Sequence, residues 1–220
     1  MKPTDILGNI KLYNADCMEV MKTFKDKQFD LAIVDPPYGI GADGTQGFAT
    51  KKTKGFTFDK KEYTKKNWDS EIPADEYFFE LQRVSKNQII WGGNYFNLPP
   101  TRCVIVWDKC QPWENFSQIE LAWTSFDSPA RIYKYDNRTS GKIHPCQKPV
   151  ALYTWLLNNY AKKGDKILDT HVGSASSLIA CHRLGFEYIG FELDTDYYNQ
   201  ALERLEAEKA QITFFDGGII

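Results

Sequence analysis

The chain has 220 residues, enough for one large α/β domain with its own hydrophobic core. Its formal net charge of −2 argues against a protein that coats nucleic acid, and no apolar run approaches the roughly 18 residues of a membrane span. The amino terminus lacks the apolar segment of a signal peptide, and the 5 cysteines form no Cys-x-x-Cys pair, which predicts reduced thiols in a cytoplasmic protein. The 3 histidines show no metal-ligand spacing, so we expect no metal site.

The first elements in chain order are a strand at 10–14, a short helix at 18–24 and a buried strand at 29–34. The buried strand runs into the tetrapeptide Asp35-Pro36-Pro37-Tyr38. An Asp before Pro favours an extended backbone, and two prolines cannot continue a hydrogen-bonded ladder. We therefore expect the Pro36 carbonyl to be held at a strand end, free to accept a hydrogen bond.

This tetrapeptide suits chemistry on an amino group attached to an aromatic ring. Such a nitrogen is a poor nucleophile because its lone pair is delocalised into the ring. The Asp35 carboxylate and the Pro36 carbonyl can each accept one amine hydrogen, which favours a pyramidal nitrogen and frees the lone pair. Tyr38 offers a ring on which a base can stack, an interaction worth about 1–3 kcal/mol per base in single-strand binding. The alternative is an ordinary strand end followed by a Pro-Pro turn.

Residues 39–69 show little periodicity and interleave lysines with aromatic residues. A segment of this length inside a compact domain is usually functional or disordered. Because lysines attract phosphates and aromatic rings contact bases, we interpret residues 39–70 as a target-recognition insertion in a single domain spanning 1–220. The alternative is a solvated insertion whose rings pack onto the body of the domain. The lysines expected to contact DNA are Lys51, Lys52, Lys54, Lys60 and Lys61.

The rest of the chain alternates between strand and helix patterns, which predicts a doubly wound, mostly parallel sheet. Three consecutive strand patterns in the middle predict an antiparallel edge. Helices are expected from Pro73 to Val84, from Val150 to Lys163, up to Leu184 before Gly185, and from Thr195 to about Lys209. Strands are expected at 88–91, 103–107, 119–126, 131–135, 166–169 and 188–191.

A second motif runs from Asp169 through a turn of small residues and a helix to the strand that ends at Glu192. This order is typical of nucleotide-type cofactor sites, in which the acid accepts hydrogen bonds from ribose hydroxyls. The turn lacks the spaced glycines that favour a pyrophosphate, so a cofactor with a ribose and no phosphate suits it better. S-adenosylmethionine is such a molecule. The alternative is a turn rich in Ser and Ala for packing alone.

With these two motifs the chain resembles the DNA amino-methyltransferases, in particular the permuted group whose catalytic motif precedes the cofactor loop. Residues 35–38 match its catalytic motif, residues 144–149 match its His-Pro-x-x-Lys-Pro motif, and residues 169–177 occupy the place of its cofactor loop. The resemblance implies a Rossmann-like, S-adenosylmethionine-dependent methyltransferase fold with permuted motif order. It also implies a base flipped out of the DNA duplex and direct attack on the methyl group, without a covalent intermediate or a metal.

The resemblance also implies residue roles: the motif Asp35-Pro36-Pro37-Tyr38 binds the amino group and stacks on the base, and Lys148 serves the cofactor pocket. His171 stands where the family has Phe, and Ala175 stands where it has Gly. Ala175 is tolerable if its φ is negative; a positive φ would weaken cofactor binding. The residues expected to bind the cofactor are Asp16, Cys17, Asp35, His144, Lys148, Asp169, His171, Gly173, Ser174, Ala175, Ser176, Glu192 and Leu193.

The first hypothesis is methyl transfer to the 6-amino group of adenine in double-stranded DNA. It rests on the Asp at the first motif position, in which the chain resembles the adenine enzymes of the family. The 4-amino group of cytosine is the alternative target. A catalytically inactive DNA-binding relic, whose altered cofactor loop no longer holds the donor, is the alternative from another class. The sequence leaves open whether the protein forms a homodimer and whether it acts with a partner restriction nuclease.

Overall fold

The computed structural model of the chain describes residues 3–5, 9–42, 66–112, 117–136, 143 and 146–216, the last six as backbone only. The strands are β1 Thr4–Asp5, β2 Ile10–Asn14, β3 Phe29–Val34, β4 Ser85–Trp91, β5 Val104–Asp108, β6 Ile119–Thr124, β7 Arg131–Lys134, β8 Lys166–Asp169 and β9 Glu187–Glu192. The helices are α1 Cys17–Met21, α2 Asp75–Val84, α3 Val150–Tyr160, α4 Ser176–Leu184 and α5 Thr195–Asp216, with a 3₁₀ turn at Gly93–Tyr95.

The strands of the described residues form one 9-stranded sheet in the order β1-β2-β9-β8-β3-β4-β6-β5-β7. Strands β2, β9, β8, β3 and β4 are parallel to one another, as the alternating pattern predicted. Strand β6 is antiparallel to both β4 and β5. The prediction of an antiparallel edge through all three middle strands is wrong at β7, which pairs parallel with β5. Both sides of β6 are already occupied, so β7 can join only the free side of β5.

Several element boundaries also differ from the predicted ones. Helix α2 begins at Asp75 rather than Pro73 and passes directly into β4, which therefore starts at Ser85 instead of position 88. Helix α3 ends at Tyr160 because Ala161 is already extended, with its N–H still bonded to Leu157. Helix α4 ends as predicted, with Gly185 in the left-handed conformation after Leu184.

The sheet is buried on both faces, which explains the continuous apolar sequence of β3. Leu31 and Ile33 pack into one hydrophobic cluster, and Ala32 and Val34 pack into a second cluster on the opposite face. Among the described residues, no helix combines the length and the apolar character needed to cross a membrane.

Candidate active site

The acidic residues singled out in the sequence follow strands that are neighbours in the sheet. Asp16 comes after β2, Glu192 ends β9, Asp169 ends β8 and Asp35 follows β3, in the order in which these strands lie side by side. Because parallel strands are spaced by about 4.8 Å, Asp35 and Glu192 lie roughly 10 Å apart across the sheet edge. The fold thus places residues 35–38 beside the turn after Asp169 at the carboxyl edge of the sheet, where doubly wound folds bind ligands.

Both carboxylate oxygens of Asp35 carry a hydrogen bond from the chain itself. The Tyr38 hydroxyl donates to Oδ1 at 2.6 Å, and the Lys148 ammonium donates to Oδ2 at 2.5 Å. Burial raises the pKa of Asp35, with Lys148 opposing the increase and Glu120 adding to it. The side chain keeps 20% of its surface exposed, so a substrate group can still reach it. A carboxylate has about four acceptor positions, which leaves room for an amine hydrogen.

Lys148 lies between two carboxylates. Its ammonium is 2.9 Å from Glu120 Oε2 as well as 2.5 Å from Asp35, and only 3% of its side chain is exposed. The other oxygen of Glu120 pairs with Lys109 at 2.6 Å. Burial lowers the pKa of Lys148, but the two carboxylates outweigh it and hold this pKa above its usual range. The cluster therefore contains two basic side chains, Lys109 and Lys148, and two acidic ones, Asp35 and Glu120.

Sequence reasoning assigned Lys148 to the cofactor pocket by resemblance and did not find Glu120 or Lys109. A signal was present for Glu120: it shares a face of β6 with Ala122 and Thr124, which are both buried. An acid on the inner face of an apolar strand needs a partner. Nothing in the sequence indicates that the partner is Lys148.

The backbone after the tetrapeptide is fixed by Asp69, whose side chain is buried. One of its oxygens accepts hydrogen bonds from the N–H groups of Tyr38 at 2.7 Å and Gly39 at 2.9 Å, and the other accepts one from Ala42 at 2.7 Å. Asp69 lies at the far end of the lysine-rich segment, so the residues on both sides of that segment meet at the catalytic motif. Sequence reasoning did not single out this residue.

The ring of Tyr38 is confined by residues of the turn after β4. Gly92 has a φ of +69°, and a Cβ added there would lie 2.2 Å from the tyrosine ring. Tyr95 stacks on Tyr38 with ring centroids 5.0 Å apart and an interplanar angle of 12°. One face of Tyr38 is thus already covered, and a target base has to use the other face or displace Tyr95.

At the cofactor end, Asp169 and Glu192 are held by neutral donors. Asp169 accepts hydrogen bonds from the Ser177 hydroxyl at 2.6 Å and from the His171 N–H at 3.0 Å. Glu192 accepts hydrogen bonds from the N–H groups of Gly173 at 2.8 Å and Asp194 at 2.9 Å. Burial raises the pKa of Asp169 to about 6 and that of Glu192 to about 7.

The turn between β8 and α4 holds two residues in the left-handed conformation, Gly173 with a φ of +53° and Ala175 with a φ of +63°. Ala175 therefore does not have the negative φ at which alanine would be tolerated in the cofactor turn. An alanine in this conformation costs about 1–2 kcal/mol. Nearby, Ser174 and Ser176 bond to each other through their hydroxyls at 3.2 Å, and both accept hydrogen bonds from Arg204.

The remaining candidate residues have varied surroundings. Asp16 caps α1 by accepting a hydrogen bond from the Met18 N–H at 2.8 Å, and burial raises the pKa of Cys17 to about 12, so it is a thiol. His171 packs edge-on against Tyr77, and burial lowers its pKa to about 4, so it is neutral. Leu193 is 70% exposed beside Glu192. The candidates outside the described residues are His144, Lys51, Lys52, Lys54, Lys60 and Lys61.

Comparison with known proteins gives the family. The model of a DNA methylase family, named for N6 and N4 methylases, matches residues 90–203. The chain belongs to this family. It is a DNA methyltransferase, and its cofactor is S-adenosylmethionine. The matched region contains Lys109, Glu120 and Lys148 together with the whole cofactor motif.

Two relatives match over most of the chain. It is 26% identical to the Type II methyltransferase M2.MboI of Moraxella bovis, over 91% of this chain and 86% of the relative. It is 25% identical to the Type II methyltransferase M2.DpnII of Streptococcus pneumoniae, over 94% of this chain and 93% of the relative.

Solved structures show the same fold. A crystal structure of the M1.HpyAVI-SAM complex superimposes with a TM-score of 0.55 at 22% identity, covering 89% of this chain and 99% of that one. The cytosine-N4-specific PvuII DNA methyltransferase gives a TM-score of 0.58 at 14% identity, over 92% and 95% of the two chains. The prediction of a Rossmann-like methyltransferase fold is confirmed.

The cofactor end fits S-adenosylmethionine. This molecule carries a sulfonium and an ammonium cation as well as ribose hydroxyls. Among the described residues, neither Asp169, which is buried, nor Glu192, which is half-buried, forms an ion pair with a Lys, Arg or His. Both have raised pKa values, and a cationic ligand would stabilise their ionised forms.

Proposed function

We propose that the chain methylates the exocyclic 6-amino group of adenine in a base flipped out of double-stranded DNA. The observation that carries the proposal is the Asp35 carboxylate at the end of β3, directly before Pro36 and beside the strand of Asp169. An Asp at the first motif position supports adenine through the resemblance. The 4-amino group of cytosine is the second candidate, since the PvuII enzyme has a similar fold and is named for cytosine.

In this proposal Asp35 and the Pro36 carbonyl each accept one hydrogen of the target amine and direct its lone pair away from the ring. The bound cofactor supplies an electrophilic methyl group on its sulfonium. As the amine nitrogen bonds to this methyl group, the methyl–sulfur bond breaks and a neutral thioether leaves. The nitrogen gains positive charge, and the adjacent Asp35 carboxylate stabilises that charge. Tyr38 stacks on the base with the ring face that Tyr95 does not cover. The proton lost from the amine passes to water at the exposed part of Asp35.

We propose that Glu192 binds the ribose, and that Asp169 and Gly173 hold the methionine end of the cofactor. The support is their position on β9 and in the turn after β8, two neighbouring strand ends. Ser174, Ala175 and Ser176 shape that turn. Asp16 and Cys17, after β2, lie where the adenine of the cofactor is expected by resemblance.

We further propose that the segment containing Lys51, Lys52, Lys54, Lys60 and Lys61 contacts DNA phosphates. Each phosphate contact contributes about 0.9 to the slope of log affinity against log salt concentration. Replacing all five lysines by glutamine should weaken DNA binding and reduce that slope, measured by fluorescence anisotropy at several salt concentrations. The double variant Lys162→Gln with Lys163→Gln is the control for loss of surface charge. An unchanged affinity and slope in the five-lysine variant would contradict this role.

The function is tested by incubating the protein with unmethylated DNA and methyl-labelled S-adenosylmethionine, followed by nucleoside digestion and mass spectrometry. 6-Methyladenine supports the proposal, and 4-methylcytosine transfers it to the second candidate. No methylated base and no cofactor binding would favour the inactive relic.

The Type II names of the relatives support a restriction nuclease as partner. Protection of methylated product DNA from that nuclease would test this extension.

A DNA substrate also supports a cytoplasmic location. Sedimentation with and without DNA tests the homodimer.

A further inference from the structure

The buried cluster around Lys148 contains a carboxylate that the proposed mechanism does not use. Glu120 lies at the start of β6, on the side of β4 opposite to β3. Its Oε2 is 2.9 Å from the Lys148 ammonium, and its Oε1 is 2.6 Å from the Lys109 ammonium. Strand β6 runs antiparallel to β4, with Ala122 opposite Trp91, so Glu120 lies just beyond the carboxyl end of β4, at the sheet edge that also holds Asp35. Lys148 lies between the two carboxylates.

Lys148 presents a problem for catalysis as proposed. A lysine at 2.5 Å from Asp35 neutralises the carboxylate that has to stabilise a developing cation on the amine. The same ammonium would also repel that cation at close range in a medium of low dielectric constant. A second anion on the other side of Lys148 removes this difficulty, because it offsets part of the positive charge that Lys148 presents to Asp35 and to the amine.

We infer that Glu120 is a positioning residue that shares Lys148 with Asp35 and thereby leaves the Asp35 carboxylate its negative charge toward the target amine. This inference rests on the proposed function. Lys109 holds the far oxygen of Glu120 and fixes the orientation of its carboxylate. Asp35 and Lys148 alone would carry no net charge next to the amine. Glu120 adds a negative charge beside Lys148, and its own counter-ion, Lys109, binds the other oxygen of the Glu120 carboxylate.

A purely structural ion cluster is the competing explanation. Buried ion pairs often contribute little net stability, because the desolvation of both ions offsets their attraction. A structural role predicts that loss of the Glu120 charge lowers the unfolding temperature without moving the pH dependence of methyl transfer. A role in tuning Asp35 predicts a displacement of the acid limb of the rate profile, which reports ionisation of the carboxylate.

The direction of that displacement follows from the groups that face Asp35. The neighbouring tyrosines and Cys146 have raised pKa values, so their charge does not change between pH 5 and 8. Removing the Glu120 charge removes a repulsion, so the acid limb should move to lower pH. Removing the Lys148 charge should move it to higher pH. The titratable and charged groups around Asp35 are Tyr38, Tyr77, Glu120, Cys146, Lys148, Tyr153 and Asp169.

The experiment measures single-turnover methyl transfer to DNA against pH at saturating S-adenosylmethionine, for Glu120→Gln and Lys148→Met. We expect Glu120→Gln to reduce the plateau rate by about 10- to 100-fold, less than the loss of a group that contacts the reacting atoms. Its acid limb should move to lower pH, while the cofactor Kd should change by less than about threefold. Lys148→Met should move the acid limb in the opposite direction.

Glu187→Gln is the matched control, because Glu187 pairs with Lys166 at 3.0 Å on the surface far from the motif. It should change neither the plateau nor the limb. Lys109→Met serves as a second test if Lys148→Met does not fold: without Lys109 the Glu120 charge acts more fully on Asp35, and the acid limb should move to higher pH.

An unchanged acid limb in Glu120→Gln, or a displacement in the same direction as in the lysine variants, would overturn the inference while the wild-type enzyme still methylates DNA. If the wild-type protein forms no methylated base at any pH, the proposed function fails instead. The two failures are therefore distinguishable within one set of measurements.

Discussion

The catalytic end and the cofactor end of this sheet edge treat buried carboxylates differently. At the catalytic end, Asp35 is bonded to a lysine of the chain, and Glu120 and Lys109 complete a neutral cluster. At the cofactor end, Asp169 and Glu192 are bonded only to N–H and O–H donors. In the proposed arrangement, the chain supplies its own cation beside the uncharged target amine, whereas at Asp169 and Glu192 the cation comes from the cofactor.

The pKa values reflect this division. A buried carboxyl without a cation resists ionisation, and burial is the largest cause of the raised pKa of Asp169, about 6, and of Glu192, about 7. At the catalytic end, Lys148 opposes the same effect on Asp35. Since the hydrogen-bond partners of the two ends are separate, substitutions at one end should affect the other end mainly through charge, as between Asp35 and Asp169.

The largest expected effect is that of Asp35→Ala. Methyl transfer should fall below detection, because the amine loses a hydrogen-bond acceptor and the anion that stabilises its developing charge. Cofactor binding should remain nearly intact, since Asp169 and Glu192 are unchanged. Transfer is measured by incorporation of labelled methyl groups, and cofactor binding by calorimetry.

Asp30→Ala is the control for this variant, because Asp30 lies in β3 near its opposite end and pairs with Lys86 at 2.7 Å. It should retain methyl transfer. Equal loss of transfer and of cofactor binding in Asp35→Ala would show that the two ends are not separate.

A second variant, Gly92→Ala, should reduce the rate by about 100-fold, because a displacement of roughly 1 Å at a reacting group can cost that factor. The added Cβ would lie 2.2 Å from the Tyr38 ring and would push it away from Asp35. The control is Gly185→Ala, which has a similar positive φ of +72° and no atom within 4 Å of the added Cβ. Single-turnover assays compare the methyl-transfer rates of the two variants. Equal rates in Gly92→Ala and Gly185→Ala would indicate that the loss comes from backbone strain and not from contact with the Tyr38 ring.

The smallest expected effect is the pH dependence of cofactor affinity. The pKa values of Asp169 and Glu192 are raised, so both carboxyls are protonated at acidic pH and ionise as the pH rises through about 6 and about 7. A cationic ligand favours the ionised forms. Cofactor affinity should therefore decrease at least about tenfold from pH 7.5 to pH 5.5, with proton release on binding.

Calorimetry in two buffers of different ionisation enthalpy measures both quantities. An affinity that is constant across this interval, with no proton release, would show that these carboxyls do not meet the cation. Asp35→Ala should retain a dependence in the same direction, displaced to lower pH, since the Asp35 charge contributes to the raised pKa of Asp169.

Sequence reasoning singled out the candidate residues that lie close together along the chain. The tetrapeptide at 35–38, the small-residue turn after Asp169 and the acid Glu192 all lie at strand ends that local pattern predicts. Long-range partners could not be predicted in this way. Lys148 contacts Asp35 across 113 positions of sequence, and the hydrogen bonds of Asp69 reach back to Tyr38 across 31 positions.

The pairing of β7 shows the same limitation. Local pattern identifies a strand at Arg131–Lys134 but does not reveal that both sides of β6 are occupied. Ala175 is a related case, since its left-handed φ depends on the surrounding turn and not on its own preference.

The hydrogen bonds of Asp69 have a consequence for how such enzymes can change their target sequence. Ala42 and Asp69 are joined side chain to backbone at 2.7 Å, and the Gly41 N–H donates to the Asp69 carbonyl at 3.1 Å. The residues on either side of 43–65 are thus anchored to each other and to Tyr38. Under the proposed role of this segment in DNA contact, we expect that a segment of different length and sequence can be exchanged between these two anchors, which would make this position a junction for chimeric methyltransferases.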